Sequence, residues 1–308
     1  MTLAQAGREL VSSYRPAHRV DLVRTLAPLR RGTADPTYCV EPGGVWLTAL
    51  MSAGPATLRL EPCPDGGVEA RAWGPGAEQA LAAVPDLLGA RDRPEDFIPT
   101  HRGLHDAARR LRGMRVPRTG RVFETLVPAI LEQKVTGVEA RRAWRWLMRR
   151  YGLAAPGPGP AHLRVVPPAA VWRHIPSWDW HAAGVDAKRA RTVVAAAVVA
   201  EALERTVGLA AAEARRRLEL VPGIGVWTSA EVAQRAYGDA DAVSVGDYHL
   251  SHLVGCALAG YRVDDAGMLE LLAPYAPHRY RVVRLIESAA APMPRFGPRL
   301  APRDFSRM

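Results

Sequence analysis

The stretch VPGIGVWT, Val221 to Thr228, places a proline and two glycines around one isoleucine, directly before a tryptophan. Proline ends a helix, and glycine adopts backbone conformations that other residues avoid. Helical patterns lie on both sides of the stretch. The apolar residues spaced to form the buried face of the second helix are Val226, Ala230, Ala233 and Tyr237. The stretch therefore predicts a tight turn between two helices.

Such a turn is suited to binding an anion. The first amides of the second helix lack partners within the helix, and the helix dipole favours negative charge there. Gly223 and Gly225 have no side chain that would keep a phosphate oxygen away. The turn can therefore hold a DNA backbone without reading the base sequence. Many turns that only connect two helices also contain glycine, so the turn by itself leaves both interpretations open.

Asp247 lies 22 positions after Gly225, at the predicted start of the next helix in AVSVGDYHL. One interpretation is a plain helix N-cap, for which aspartate is well suited. The other follows from the neighbouring turn. Cleavage of an N-glycosidic bond develops positive charge on the deoxyribose, and a nearby carboxylate stabilises that charge or positions a water. Asp247 is therefore the candidate catalytic residue.

The segments VPGIGVWTSAEVAQRA and AVSVGDYHL together resemble the helix-hairpin-helix DNA glycosylase superfamily, above all its bacterial alkylated-base branch of the 3-methyladenine DNA glycosylase II type. Two other segments, FETLVPAILEQKVTGVEA and WHAAGVDAKRARTVVAAA, are similar to further helices of that family. The resemblance is specific from about residue 100 to 290. It implies a mainly α fold, a helical body with a cleft behind an N-terminal α+β domain, in which bent DNA presents a flipped nucleotide.

The resemblance also assigns roles to residues of this chain. Asp247 matches the catalytic aspartate, and Gln133 or Lys134 stands where the family has a wedge side chain. The hairpin that would bind DNA consists of Pro222, Gly223, Ile224, Gly225 and Thr228. The residues expected to line the base pocket are Trp227, Glu231, Tyr248 and Glu287. A monovalent cation, sodium or potassium, is expected on the backbone carbonyls of Glu219, Val221 and Ile224.

Trp227 bears on the type of reaction. Lyase-type members of the family have a catalytic lysine two residues after the second glycine, where this chain has Trp227. An indole cannot form a Schiff base, so we expect a monofunctional glycosylase that hydrolyses the bond and leaves an abasic site. A buried core role for Trp227 is the alternative at the residue level. A non-catalytic protein that binds damaged DNA is the alternative for the whole chain.

Metal cofactors have little support in the sequence. The chain has only Cys256 in its last third, so it cannot form the four-cysteine iron–sulfur cluster that lyase members often carry. His249, His252 and Cys256 are spaced to face one side of a helix, which could suit zinc, but a fourth ligand at matching spacing is absent. We therefore expect ordinary helix residues there and no required cofactor.

Composition favours a nucleic-acid partner. The formal net charge is +10, and residues 101–150 hold twelve arginines and one lysine against four acidic residues. Such a segment fits double-stranded DNA containing a damaged base, although a solvated basic face is the alternative. No long apolar run or secretory signal is apparent, and Cys39, Cys63 and Cys256 form no disulfide framework. We expect a monomer in the cytoplasm, at the nucleoid.

The hydrophobic pattern divides the chain into three parts. Residues 1–98 predict an α+β domain, with strands in VWLTALM, ATLRL and GVEARAW and a closing helix in GAEQALAAVPDLLG. Residues 99–290 predict the helical domain, in which FETLVPAIL should have Pro128 in its first turn or be kinked there, and DAKRARTVVAAAVVAEAL should be one long helix. GLAAPGPGPAHLRVVPP should only connect, and residues 291–308 predict a Pro- and Arg-rich frayed tail.

Overall fold

The computed structural model describes residues 8–289, so the predicted tail at 291–308 lies outside the described residues. The strands are β1 (Leu10–Tyr14), β2 (Tyr38–Glu41), β3 (Gly44–Met51), β4 (Gly54–Pro62), β5 (Val68–Trp73), β6 (Leu153–Ala154) and β7 (Arg164–Val165).

The helices are α1 (Leu22–Leu26), α2 (Ala77–Ala82), α3 (Val84–Leu87), α4 (Arg102–Arg110), α5 (Val122–Leu131), α6 (Gly137–Tyr151), α7 (Ala169–Arg173), α8 (Ser177–Ala182), α9 (Ala187–Val198), α10 (Ala200–Glu204), α11 (Ala211–Glu219), α12 (Val226–Val232), α13 (Leu250–Leu258), α14 (Asp265–Leu272) and α15 (Arg279–Ala289). Short 3₁₀ turns follow α1 at Ala27–Leu29 and α10 at Arg205–Gly208, and others lie at Pro94–Asp96 and Ala273–Tyr275. A π-helical turn, Ala233–Tyr237, continues α12.

The N-terminal part is an antiparallel sheet in the order β1-β5-β4-β3-β2. The three strands predicted from the sequence are confirmed as β3, β4 and β5. Helices α1, α2 and α3 share the apolar core of this sheet. The helix predicted over GAEQALAAVPDLLG is instead two short helices, α2 and α3. Pro85 stands in the first turn of α3, and a proline has no N–H with which to continue the preceding helix.

The helical part has two hydrophobic cores, as expected for a mainly α body behind an α+β unit. The first core gathers buried side chains of α5 to α12. The second core is built from α4, α13, α14 and α15. The chain passes from the first core to the second between α12 and α13. Asp247 lies in that passage, so the candidate catalytic residue stands where the two halves meet.

Helix α5 has the buried apolar face predicted from FETLVPAIL. Pro128 lies inside the helix, three residues before its last residue, and not in the first turn. The first turn is capped from another helix: the carboxylate of Glu204 accepts hydrogen bonds from the amides of Val122 and Phe123 at 2.9 and 2.8 Å. A distant glutamate therefore fixes where α5 begins.

The single long helix predicted over DAKRARTVVAAAVVAEAL is wrong. The chain forms α9 and α10, and Val199 between them leaves the helical conformation at φ −107° and ψ 15°. Val198 and Val199 are 60% and 38% exposed, so packing does little to offset the lower helix propensity of β-branched residues.

The segment expected only to connect also differs from its prediction. GLAAPGPGPAHLRVVPP contains β6 and β7, which pair with each other. The Thr48 hydroxyl donates a hydrogen bond to the carbonyl of Arg164 at 2.8 Å, and the fully buried Leu163 packs with Trp46 and Trp73 of the main sheet. Its apolar residues therefore fasten the helical part to the N-terminal sheet.

Candidate functional site

The predicted turn between two helices is confirmed. Helix α11 ends at Glu219 and α12 begins at Val226. Val221 and Ile224 are buried, and the amide of Ile224 donates to the carbonyl of Val221 at 3.0 Å. Pro222 and both glycines are exposed. The two apolar side chains therefore anchor a hairpin whose tip faces solvent.

The two glycines of the hairpin are there for different reasons. Gly223 has φ +91°, and a Cβ at this position would lie 2.1 Å from the hydroxyl oxygen of Thr192, so the fold itself requires glycine. Gly225 has φ −112° and ψ −177°, which any residue adopts. A Cβ on Gly225 would meet nothing within 4 Å. The absence of a side chain at Gly225 leaves the start of α12 open to another molecule.

The start of α12 has the properties predicted for anion binding. Gly225 is its N-cap and supplies no side-chain hydrogen bond, so the first-turn amides keep their donors for a ligand. Helix α12 runs on into the π-helical turn ending at Tyr237. Ala230, Ala233 and Tyr237 form the predicted buried face, but Val226 is 51% exposed and does not belong to it. Val226 is the first residue of the helix, next to the exposed tip.

Gln133, from the loop between α5 and α6, is held against the hairpin. Its side-chain amide donates to the carbonyl of Gly223 at 3.0 Å and to the hydroxyl of Thr228 at 2.8 Å. Thr228 is buried and positions Gln133 instead of facing solvent. Lys134 is exposed and has φ +53°, a conformation that no other non-glycine residue within 8–289 adopts. This strained backbone presents Lys134 beside the hairpin.

Asp247 is part-buried and lies close to Trp227. Its Oδ1 accepts from the amides of His249 and Leu250 at 2.9 and 3.0 Å, so it caps the turn that leads into α13, although the N-cap residue of that helix is His249 and not Asp247 as predicted. Its Oδ2 accepts from the indole N–H of Trp227 at 3.3 Å. Trp227 is itself part-buried, so it is not a core residue. One carboxylate oxygen therefore orients the group, and the other lies on the side of Trp227.

Glu231 and Glu287 differ in how many of their carboxylate oxygens have a hydrogen-bond or ion-pair partner. The two oxygens of Glu231 take a hydrogen bond from Ser244 at 2.6 Å and an ion pair from Arg235 at 2.8 Å. Burial is the largest single influence and lowers the pKa of Arg235, but the charges of Glu231, Tyr280, Glu132 and Glu287 together raise it more, so that pKa stays above its ordinary value. The charge of Glu231 is thus neutralised within the protein.

Glu287 has only a long contact of 3.7 Å with Arg284, and 45% of its side chain is exposed. Burial nevertheless raises the pKa of the Glu287 carboxyl; the positive charge of Arg284 opposes this rise, and the charges of Glu231 and Asp247 add to it. Glu287 and Asp247 are thus close enough for the charge of one carboxyl group to act on the other.

Tyr280 and Arg235 also belong to this cluster, although neither was expected from the sequence. Burial raises the pKa of the Tyr280 hydroxyl, and the charges of Arg235 and Glu287 act on it as well. Two helical spacings could have found them: Arg235 follows Glu231 by one turn, and Tyr280 precedes Glu287 by two turns. Tyr248, expected in the pocket, is 78% exposed, and its ring stands edge-on to that of His249.

The residues that the sequence suggested as metal ligands are the hairpin carbonyls and a His/Cys group on α13. Carbonyl oxygens suit a hard monovalent cation, and the Val221 carbonyl also accepts a hydrogen bond from the Ile224 amide. On the zinc alternative, His249 and Cys256 are exposed, and the Nδ1 of His252 contacts the carbonyl of Val263 at 3.1 Å. Within residues 8–289, no group of three or more His, Cys, Asp or Glu side chains could hold a metal ion.

Residues 8–289 also contain no helix of the length and apolarity needed to traverse a lipid bilayer.

Comparison with known proteins places this geometry in a known fold. No protein-family model and no curated protein matches the chain by sequence. Among solved structures, a 3-methyladenine DNA glycosylase from Archaeoglobus fulgidus matches with a TM-score of 0.74 and 17% identity, over 90% of this chain and 98% of that chain.

An 8-oxoguanine glycosylase/lyase from Clostridium acetobutylicum matches in its apo form with a TM-score of 0.70 and 11% identity, over 93% of this chain and 99% of that chain. The same protein bound to double-stranded DNA matches with a TM-score of 0.65 and 11% identity, over 92% and 99% of the two chains. The chain therefore has the fold of the helix-hairpin-helix DNA glycosylases.

Proposed function

We propose that this protein is a monofunctional DNA glycosylase of base excision repair, which hydrolyses the N-glycosidic bond of a flipped, alkylated base in double-stranded DNA. The observation that carries the proposal is the Asp247 carboxylate, fixed by two backbone amides and the Trp227 indole at the junction of the two helical cores. A plain helix cap would need the two amides but not the indole.

The reaction follows from where that carboxylate is held. As the bond between C1′ and the base breaks, its electron pair leaves with the base and positive charge develops on the deoxyribose. The negative charge of Asp247 stabilises that charge, and a water then adds to C1′ and leaves an abasic site. Because its Oδ1 is occupied by the amides of His249 and Leu250, Oδ2 is the oxygen that we assign to the sugar or the water.

The exposed hairpin supports DNA as the substrate. A backbone phosphate at the start of α12 would meet free amides and the positive end of the helix dipole, with no side chain at Gly225 in its way. A monovalent cation on the carbonyls of Glu219, Val221 and Ile224 would add positive charge at the same place. We assign the role of DNA wedge to Lys134, because the side-chain amide of Gln133 already donates hydrogen bonds to the hairpin.

The charge of the cleft supports an alkylated base. Purines alkylated on a ring nitrogen carry positive charge. The carboxyl groups of Asp247 and Glu287 are close enough for their charges to interact, while Glu231 is neutralised by Arg235. A cationic base is thus favoured over a neutral one, since its charge complements the pocket.

Hydrolysis without strand cleavage is supported by Trp227. Its indole stands at the position where lyase-type members of the resembled family have lysine, and it cannot form a covalent intermediate with the sugar. We expect no covalent protein–DNA product when the reaction is quenched with borohydride, whereas a lyase mechanism would yield one.

Base release from genomic DNA treated with a methylating agent tests the proposal. We expect chromatography to resolve released methylated purines, with none released from untreated DNA. Duplexes containing uracil or 8-oxoguanine serve as matched substrates with neutral damaged bases. Binding to methylated DNA without release of any base would reject the enzyme and favour a non-catalytic protein that recognises damage.

A further inference from the structure

A cleft of about 410 Å³ lies between the N-terminal part and α6, away from the residues around Asp247. Its walls include Arg30, Gly32 and Thr33 on one side and Val138, Arg141 and Arg145 on the other. We call it the arginine cleft, because three of its lining residues are arginines and no lining residue is acidic.

Two guanidinium groups meet at one turn of the N-terminal part. Arg30 donates to the carbonyls of Gly32 and Thr33 at 2.9 and 3.3 Å. The side chain of Arg141 lies against Gly32, where a Cβ would come within 2.7 Å of its Cδ. A terminal nitrogen of Arg141 also lies 3.1 Å from where a Cβ of Gly137 would stand. Both arginines are thus held beside Gly32, at the start of α6.

The three arginines have no carboxylate partner among the described residues. Arg30, Arg141 and Arg145 take part in none of the ion pairs found within 8–289, whereas the adjacent Arg31 pairs with Glu132 at 3.2 Å. Arg141 and Arg145 are also one turn apart on α6, where two like charges repel each other. An anion in the cleft would relieve this repulsion.

The two walls of the cleft are fixed relative to each other. The Arg31–Glu132 ion pair joins the N-terminal loop to the residue after α5. The indole N–H of Trp144 in α6 donates to the buried Asp35 of the same loop at 3.1 Å. The arginines are therefore positioned before a ligand arrives, which lowers the entropic cost of binding.

The position of the cleft identifies its ligand. Gly137, which lies against the Arg141 side chain, is three residues from Lys134, and Gln133 of the same loop is bonded to the hairpin. Only the short stretch 134–136 therefore separates the residue bonded to the hairpin from the glycine beside the cleft. Guanidinium groups suit phosphate oxygens because they donate paired hydrogen bonds in one plane.

We propose that the arginine cleft binds a backbone phosphate of the DNA that flanks the flipped nucleotide, so that the N-terminal part takes a direct share in DNA binding. The identity of the ligand rests on the proposed function, since that function makes DNA the substrate. The cleft is remote from the reacting bond and acts on affinity.

The test compares Arg30→Gln and the double variant R141Q/R145Q with wild type in DNA binding across a range of salt concentrations. Each phosphate that the protein no longer neutralises should reduce the slope of log K against log salt by about 0.9, and the cleft is proposed to bind one phosphate. We expect a reduction of about 1 in each variant and affinity lower by roughly tenfold at moderate salt. Base release under single turnover at saturating DNA should not change, because Asp247 and its partners are intact.

Arg149→Gln is the matched control. Arg149 is an exposed arginine one turn beyond Arg145 on the same helix, and it does not line the cleft. For Arg149→Gln, the slope of log K against log salt should equal that of wild type. The altered side chains are exposed or part-exposed, and thermal unfolding confirms that each variant is folded.

Duplexes trimmed from either end give a second readout. Wild-type affinity should fall when base pairs are removed from one flank only, and R141Q/R145Q should be insensitive to that trimming. A slope unchanged in both cleft variants, or reduced equally in Arg149→Gln, overturns the cleft proposal even where base release is normal. Wild-type binding without base release would reject the proposed function while leaving the cleft result valid.

Discussion

Trp227 has two properties at the scale of a single residue. The resemblance to the DNA glycosylase family predicts that it stands where lyase-type members have lysine. The structure adds that its indole N–H donates to Asp247 Oδ2 at 3.3 Å. Trp227 therefore helps to hold the carboxylate, and it remains partly exposed.

Replacing Trp227 with phenylalanine keeps an aromatic ring and removes the N–H donor. A hydrogen bond to a charged group contributes about 1.5–3 kcal/mol when it is well shielded. Because Trp227 is part-exposed, we expect the low end, a decrease of roughly tenfold in the single-turnover rate of base release.

Trp178→Phe is the control for this prediction, since Trp178 is 71% exposed on α8. It should release base at the wild-type rate. Equal rates for the two variants would show that the Trp227 indole does not act on Asp247.

Sequence and structure agree unevenly at this scale. Asp247 could be singled out from its spacing after the hairpin, and Trp227 from the resemblance to the family. The bonding of Gln133 to Thr228 could not, because it joins residues 95 positions apart. The hydrogen bond that Glu231 accepts from Ser244 could not be predicted either, because Ser244 lies in the loop between α12 and α13.

At the scale of elements, the hairpin glycines can be tested as a pair. Gly225→Ala fits the backbone and the open space around it, and we expect stability to change by less than about 1 kcal/mol, because the lower entropy of the unfolded chain offsets the poorer N-capping by alanine. Its methyl group would stand where a phosphate approaches, so affinity for DNA should fall. Fluorescence anisotropy and urea unfolding measure the two effects.

Gly223→Ala should have the opposite balance. Its φ of +91° and the close approach of Thr192 predict a decrease in stability of more than about 1 kcal/mol. Full DNA affinity in Gly225→Ala would show that the hairpin tip does not contact phosphate.

The cap of α5 gives a pH dependence. Burial raises the pKa of Glu204 above its ordinary 4.5, although the amides of Val122 and Phe123 lower it. In the window above 4.5 the folded protein holds a proton that the unfolded chain has released. This carboxyl therefore makes the free energy of unfolding fall as pH rises through that window.

Glu204→Gln removes the titrating group and one of the two hydrogen-bond acceptors. We expect a less stable protein whose free energy of unfolding falls less steeply with pH than that of wild type. The difference between the two proteins should thus narrow as pH rises. Urea unfolding at several pH values measures it, and a difference that widens would refute the sign.

Element types were more predictable than their ends. Strands β3 to β5 and helix α5 follow from hydrophobic periodicity, because packing against one core sets that period. The break at Val199 and the start of α5 were not predictable. The break at Val199 depends on the exposure of two valines, and the start of α5 depends on Glu204, about eighty residues away in sequence.

At the scale of the whole molecule, one buried ion pair joins the segment after the sheet to the last described helix. Asp92 pairs with Arg281 of α15, and its other oxygen accepts the amide of Val116 at 3.0 Å. The side chains of Asp92 and Arg281 are 2% and 4% exposed. The pair therefore ties the N-terminal part to the second helical core.

Asp92→Asn should leave the Arg281 charge buried without a counter-ion. Removing one partner of a buried pair costs about 3–5 kcal/mol, and urea unfolding should show a decrease of that size. Asp65→Asn is the control, because Asp65 pairs with Arg15 on the surface and such pairs contribute about 0–1 kcal/mol. Similar decreases in both variants would contradict a special role for Asp92.

The general architecture was predictable from the resemblance of several stretches and from hydrophobic periodicity, and the arrangement of the parts was not. The sequence pattern of GLAAPGPGPAHLRVVPP is that of a loop, yet Leu163 seals it onto Trp46 and Trp73. Likewise, the net charge indicated an anionic partner without showing that Arg30 and Arg141 converge on one turn.

The central claim is that Asp247 supplies the negative charge for base removal, and Asp247→Asn tests it most directly. The amide oxygen of asparagine can still accept from His249 and Leu250, so the cap and the fold should persist, as unfolding and DNA affinity would show. We expect single-turnover release of methylated purines to fall by at least about a hundredfold with affinity unchanged. Release by the variant at the wild-type rate would contradict the account.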